Sequence, residues 1–193
     1  DSKSSIKISN ENHQFLKIYF DMNEKPFQLM KLLFNFQKKS EVIDNGEKAH
    51  RWDEFVTFPP VLRIHFIRQK YDDKVGDFVK IDEPVEFQET IDLSQLSHIK
   101  NDIYELFAIL IHTGTTHAGH YVSYVKEFDQ NIWVNYDNSL HKQSEPNRPI
   151  INSIIMKNAY ALFYIRKSEK ERLFRKQSIN PITEQNMKKI ISY

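Results

Sequence analysis

The stretch that decides the fold is Ile111 to Asn138, IHTGTTHAGHYVSYVKEFDQNIWVNYDN. A loop of small residues with glycines at Gly114 and Gly119 runs into an alternating segment, His120 to Val125. A polar turn then leads to a second alternating segment, Ile132 to Asp137, and two such runs around a polar turn predict a β-hairpin. A turn over Glu127 to Gln130 sets a register in which Lys126 faces Asn131, Tyr124 faces Trp133, Val122 faces Asn135 and His120 faces Asp137. One face then carries His120, Val122, Tyr124, Trp133, Asn135 and Asp137. The other carries Tyr121, Val125, Ile132, Val134 and Tyr136, and as the greasier of the two it is expected to look inward.

That register has a chemical consequence. Opposite Cβ atoms lie about 4.5–5.5 Å apart, which brings an imidazole within reach of a carboxylate at the mouth of a glycine-bearing loop. A carboxylate that fixes the ring's tautomer and orientation leaves the other ring nitrogen able to take a proton from a thiol or hydroxyl. A slip of one residue would send the two groups to opposite faces and remove the pairing. The competing reading, a metal site from His112, His117, His120 and Asp137, fits no familiar zinc spacing. No metal and no cofactor is expected.

Composition bounds the rest. The chain has 193 residues, 40% hydrophobic, with fourteen Phe and nine Tyr, enough for a packed core with much sheet. Basic and acidic residues nearly cancel, leaving a formal charge of +1, so no overall field recruits nucleic acid or an acidic membrane surface. No apolar run is long enough to span a bilayer, and the polar start DSKSSIKISNENHQ does not read as a signal peptide, so cytosol or nucleus is the expected compartment. There is no cysteine, which excludes disulfides, thiolate zinc sites and a cysteine nucleophile within these residues.

Along the chain, residues 1–13 read as a frayed start and Gln14 to Met22 as a strand. A helix is predicted over 26–38, opened by Pro26 in its first turn and carrying Phe27, Met30, Leu33, Phe34 and Phe36 on one stripe. Ser40 to Asp53 reads as a charged connection, VLRIHFI (61–67) as a buried strand after Pro59-Pro60, and Arg68 to Gly76 as a turn. Asp77 to Phe87 reads as two short strands broken at Pro84, and Glu89 to Ile99 as a loop. Tyr104 to His112 is almost continuously apolar, the pattern of a strand covered on both faces. Ala159 to Arg166 is another strand. A capping box at Ser168 and Glu171 predicts a helix to about Gln177, with a further amphipathic helix after Thr183 in a C-terminal extension over 168–193. Strands in succession with few helices give an α+β class, antiparallel in its sheet.

These segments, taken together, resemble a known family. FPPVLRIHFIR, VEFQETIDL, YELFAILIHTG, AGHYVSYV, WVNYDN and NAYALFYIR are similar, in order and approximate spacing, to the C-terminal half of ubiquitin-specific protease catalytic domains, over about residues 14 to 176. The resemblance implies a papain-like cysteine protease fold, with residues 14–167 forming the palm and part of the fingers and no thumb in this chain. It implies a thiol hydrolase acting after the C-terminal glycine of ubiquitin, with ubiquitin and ubiquitinated proteins as partners. His120 matches the family's general base and Asp137 the acid that orients it, with Asn138 the next polar position. Tyr121, Gly119 and His117 match positions beside the ubiquitin tail. The family's cysteine box and its oxyanion-stabilising Asn have no counterpart here, the paired zinc-binding cysteines are missing between Gln37 and Asp53, and Gln69 stands where the family usually has Phe. Two readings follow: the downstream part of a deubiquitinase whose cysteine lies outside this chain, with a separate N-terminal half or a larger assembly as its partner, or an inactive ubiquitin-binding or scaffold module.

Overall fold

The computed structural model describes residues 15–44, 46–138, 140–144 and 149–174. Its elements are β1 (Leu16–Ile18), β2 (Phe27–Gln28), α1 (Leu29–Phe36), β3 (Ser40–Asp44), β4 (Glu47–Arg51), β5 (Val61–Phe66), β6 (Gln69–Asp72), β7 (Asp77–Lys80), β8 (Val85–Glu86), β9 (Thr90–Asp92) and β10 (Ile103–Gly114), then β11 (Gly119–Glu127), β12 (Ile132–Asp137), β13 (Leu140–Gln143), α2 (Ser153–Asn158), β14 (Ala159–Arg166) and α3 (Lys170–Phe174). The main sheet runs β1-β5-β14-β10-β11-β12-β13, with β9 also on β10. Only β1 lies parallel to its neighbour in that sheet. The class is α+β and mostly sheet, as the sequence predicts.

β10 is the spine of this sheet. Its core-facing residues are Tyr104, Leu106, Ile109 and Ile111, a sequence that changes parity between Leu106 and Ile109. The change is a β-bulge: the pairing with β14 steps past Phe107, so one extra residue is taken up and the apolar face is carried on. A second irregularity leaves Tyr160 of β14 outside the pairing and restores the count. Phe107 turns to the opposite face against Phe163 and Phe174, where α3 covers it. A bulge and a partly covered second face together explain why this run reads as continuously apolar.

The core lies between the sheet and α1 and α2, and includes Leu29 and Leu33 of α1, Ile64 and Phe66 of β5, Val122 of β11, Trp133 of β12, Ile155 of α2 and Tyr164 of β14. Buried polar groups are tied down. Tyr104 Oη donates to the Pro59 carbonyl and Tyr164 Oη to that of Gln88, both at 2.7 Å. Asp102, fully buried, accepts from Arg166 Nε at 2.7 Å and Ser97 Oγ at 3.1 Å.

Several expectations need correction. The strand expected over Gln14 to Met22 is only β1, because Asp21 caps a short 3-10 turn at Met22–Glu24 by accepting from Asn23 N. The helix expected from Pro26 begins at Leu29, since Phe27 and Gln28 pair with β8. The charged connection at 40–53 is the hairpin β3–β4, and the expected turn at 68–76 begins with strand β6, paired with β7. Part of the acidic loop is β9. Ser168 sits inside a 3-10 turn, Lys167–Glu169, rather than at the head of α3. α2 went unread in the sequence, although Asn152 caps it by accepting from the amides of Ile154 and Ile155. The helices expected beyond α3 and the frayed start lie outside the described residues.

Candidate active site

The β11–β12 hairpin turns one residue later than its sequence predicts. Its turn is Phe128 to Asn131, with Asn131 in the left-handed region at φ 50° and its amide donating to the Phe128 carbonyl. Asn tolerates that conformation better than other residues with a Cβ, and this was the local signal for the turn. The register therefore shifts by two: Tyr124 faces Asn135 and Lys126 faces Trp133. A shift of two leaves every side chain on its face, where a shift of one would have exchanged the faces. His120 and Asp137 stay on one face as diagonal neighbours rather than opposite ones.

They meet nonetheless. His120 Nε2 lies 2.6 Å from Asp137 Oδ1. The carboxylate thus occupies one ring nitrogen, and Nδ1 is left for another partner. Both side chains are a little under half exposed, so the pair is open to solvent and to a ligand. Asn138, at φ 52°, forms the exposed corner after β12, and the ring's acidic contact is Asp137 rather than Asn138.

The face that carries this pair is also the core face, contrary to the expectation from apolar counts. Val122 and Trp133 belong to the core and Tyr124 packs on it. Ile132 and Val134 on the other face are buried as well, but Tyr121 and Tyr136 at its end are exposed. Counting apolar residues missed that one buried Trp outweighs several smaller groups.

Tyr121 is on the opposite face from His120. Its ring packs on His112 at a tilt of 38° with centroids 4.5 Å apart and meets Tyr160 edge-on. With Arg68, Gln69 and Lys80 these rings line a small crevice of about 50 Å³. The Tyr160 bulge aims its ring here, a feature with no local sequence signal. Arg68 is 3% exposed; its guanidinium donates to the carbonyls of Ala159, Ile81, Glu83 and Met156. Burial lowers its pKa to about 10, so it stays charged at neutral pH. Lys80 Nζ donates to the His112 carbonyl at 2.9 Å. Burial first, and the Lys80 charge second, hold the His112 pKa below 6.5.

The loop between β10 and β11 requires both glycines. Gly114 has φ 110°, and a Cβ there would stand 2.4 Å from the Ala118 carbonyl oxygen. A Cβ on Gly119 would stand 2.0 Å from Nε2 of His112 and 2.6 Å from the Thr113 carbonyl oxygen, so Gly119 lets the ring lie on the backbone next to His120. His117, at the loop's outer end, points away from His120: its Nε2 is 2.8 Å from Asp77 Oδ2. The structure thus brings His120 and Asp137 together, with Gly119 beside them, and leaves Tyr121 and His117 on separate contacts. Sequence reasoning missed Asp77, Lys80 and Tyr160 as neighbours of the site and named His112 only as a metal-ligand candidate.

Among the described residues no helix is long and apolar enough to cross a membrane, and no group of three or more His, Cys, Asp or Glu is placed to hold a metal ion.

Comparison with known proteins gives the family. Residues 7–164 match the family model described as ubiquitin carboxyl-terminal hydrolase. The chain is 35% identical over 141 residues to ubiquitin carboxyl-terminal hydrolase 7 of Drosophila melanogaster, covering 66% of this chain and 12% of that protein. It is 39% identical over 114 residues to ubiquitin carboxyl-terminal hydrolase 12 of Saccharomyces cerevisiae, covering 56% of this chain and 8% of that protein. The chain therefore spans about a tenth of the length of these relatives. In fold it is similar to a chain of the SAGA DUB module of Ubp8, Sgf11, Sus1 and Sgf73 bound to monoubiquitin, with a TM-score of 0.66 and 22% identity over 78% of this chain and 34% of that one. A sheet that sets a histidine against an aspartate at the end of one hairpin, in a sequence matched to that model over most of its length, places the chain in the ubiquitin carboxyl-terminal hydrolase family.

Proposed function

We propose that this chain supplies the proton-transfer half of a cysteine-type deubiquitinase. His120 is the general base, Asp137 orients it through Nε2, and Nδ1 faces a thiol contributed from outside these residues. The observation that carries the reading is the 2.6 Å contact between His120 Nε2 and Asp137 Oδ1. The imidazole takes the thiol proton, and the thiolate adds to the carbonyl carbon of ubiquitin's C-terminal glycine. The imidazolium then gives its proton to the departing amine as the C–N bond breaks, leaving a thioester. Water, deprotonated by the same nitrogen, cleaves the thioester and regenerates the thiol. Oxyanion donors come with the thiol. Tyr121, Gly119 and His117 flank the ubiquitin tail, and Asn138 adds a second polar group beside Asp137. In this reading the protein works in the cytosol or nucleus.

The absence of any cysteine from the 193 residues favours a second reading, an inactive module that binds ubiquitin or fills a place in an assembly. One experiment separates the two. The chain is combined with a cysteine-bearing segment of the family, and release of an amine from the C-terminus of ubiquitin is followed. The hydrolase reading predicts turnover that drops by about 10²–10⁴ on His120→Ala with folding intact. Binding of ubiquitin without turnover, or turnover indifferent to His120, leaves only the scaffold.

A further inference from the structure

The loop that precedes the base is held chiefly by polar contacts. Residues 113–120 are exposed, apart from a half-buried Thr116, and the ring packed on them is that of His112, at Gly119. Inside the loop, Thr115 N donates to the Ala118 carbonyl at 2.7 Å and Ala118 N to Thr115 Oγ1 at 3.1 Å, closing a turn. Two further contacts reach a different element, the β6–β7 hairpin. Thr116 Oγ1 donates to the Phe78 carbonyl at 2.9 Å, and His117 Nε2 meets Asp77 Oδ2 at 2.8 Å. Asp77 is itself fixed, because its Oδ1 accepts from the Phe78 amide at 2.7 Å. Both backbone groups of Phe78 and both oxygens of Asp77 are therefore used in one junction. Other charges on that hairpin include Asp72, opposite Asp77 in register, and Lys80, whose ammonium holds the His112 carbonyl at the foot of the loop.

We propose that Asp77 is a positioning residue for the base: it latches the β10–β11 loop to the β6–β7 hairpin and so sets where β11 begins, at Gly119 and His120. This rests on the reading of His120 as the base, but the latch itself is a property of the folded chain. Asp77 touches no reacting atom.

The test uses Asp77→Asn, which keeps an acceptor for the Phe78 amide and removes the charge that faces His117. It also uses the exchanged pair Asp77→His with His117→Asp. Hydrogen exchange at the Thr115 and Ala118 amides of the 193-residue chain is the first measurement. The exposed ion pair predicts exchange about two- to five-fold faster in Asp77→Asn, an unchanged urea midpoint, and recovery in the exchanged pair. In the completed enzyme the same substitution lowers kcat more than it raises KM, and the exchanged pair restores it. Unchanged exchange in Asp77→Asn, or an exchanged pair no better than the single variant, overturns the latch. If no hydrolysis is found in any form, the reading of His120 fails while the exchange result still decides the latch.

Discussion

At the scale of single residues, the site depends on small spaces as much as on charged groups. Gly119 is the clearest case, because the His112 ring lies where its Cβ would be. Gly119→Ala is expected to displace that ring, costing about 1–3 kcal/mol of stability by urea unfolding and lowering any activity that depends on His120. His112→Ala in the same background makes room and recovers part of the loss. His112 also predicts a pH dependence. Its pKa in the folded chain lies below 6.5, chiefly from burial and then from Lys80, so the unfolded chain takes up the proton first as pH falls. Stability is complete above about pH 6.5 and declines below it, towards the folded pKa. His65, lowered by burial and then by Lys17, acts in the same direction. His112→Phe keeps a ring on Tyr121 and removes its share of this slope, which urea midpoints between pH 7 and pH 5 report. An unchanged slope contradicts the assignment.

At the scale of elements, the site was legible where alternation was clean and was lost where the backbone departed from it. The His120 and Asp137 pairing is predictable from parity, and parity survives the two-residue error in register because the turn moved by one residue on both sides. The inward face was misjudged since Trp133 counts as one residue in a pattern but fills the core as several. The bulges at Phe107 and Tyr160 carry no signal in the sequence, and with them went the crevice on the far face. Arg68 is the element-level keystone of that crevice: one guanidinium joins the β7–β8 connection, α2 and β14 through their carbonyls. Arg68→Met is expected to destabilise the chain by about 3–5 kcal/mol, because four acceptors, two of them in buried bonds, lose a charged donor. Arg68→Lys does not recover most of it, since an ammonium cannot spread over four carbonyls as the planar fork does. Equal urea midpoints for wild type and Arg68→Met rule out this role.

At the scale of the whole molecule, one eight-stranded sheet carries His120 and Asp137 on the hairpin beyond its β10 spine. The six segments that resemble the family fall on β5, β8 to β9, β10, β11, β12 and β14, which is why the fold was readable from them as a set though none suffices alone. The short strands β2 and β6 and the helix α2 were harder to read, because two to six residues give a period too little length to declare itself. The central claim is that Asp137 holds His120 so that it activates a thiol from another segment. The most direct test is the rate at which ubiquitin bearing a C-terminal electrophile labels that thiol, in protein combining this chain with a cysteine-bearing segment, for wild type, His120→Ala and Asp137→Asn. The account predicts labelling at neutral pH that is slowed by about 10² or more in both variants. Labelling at the wild-type rate in either variant contradicts it.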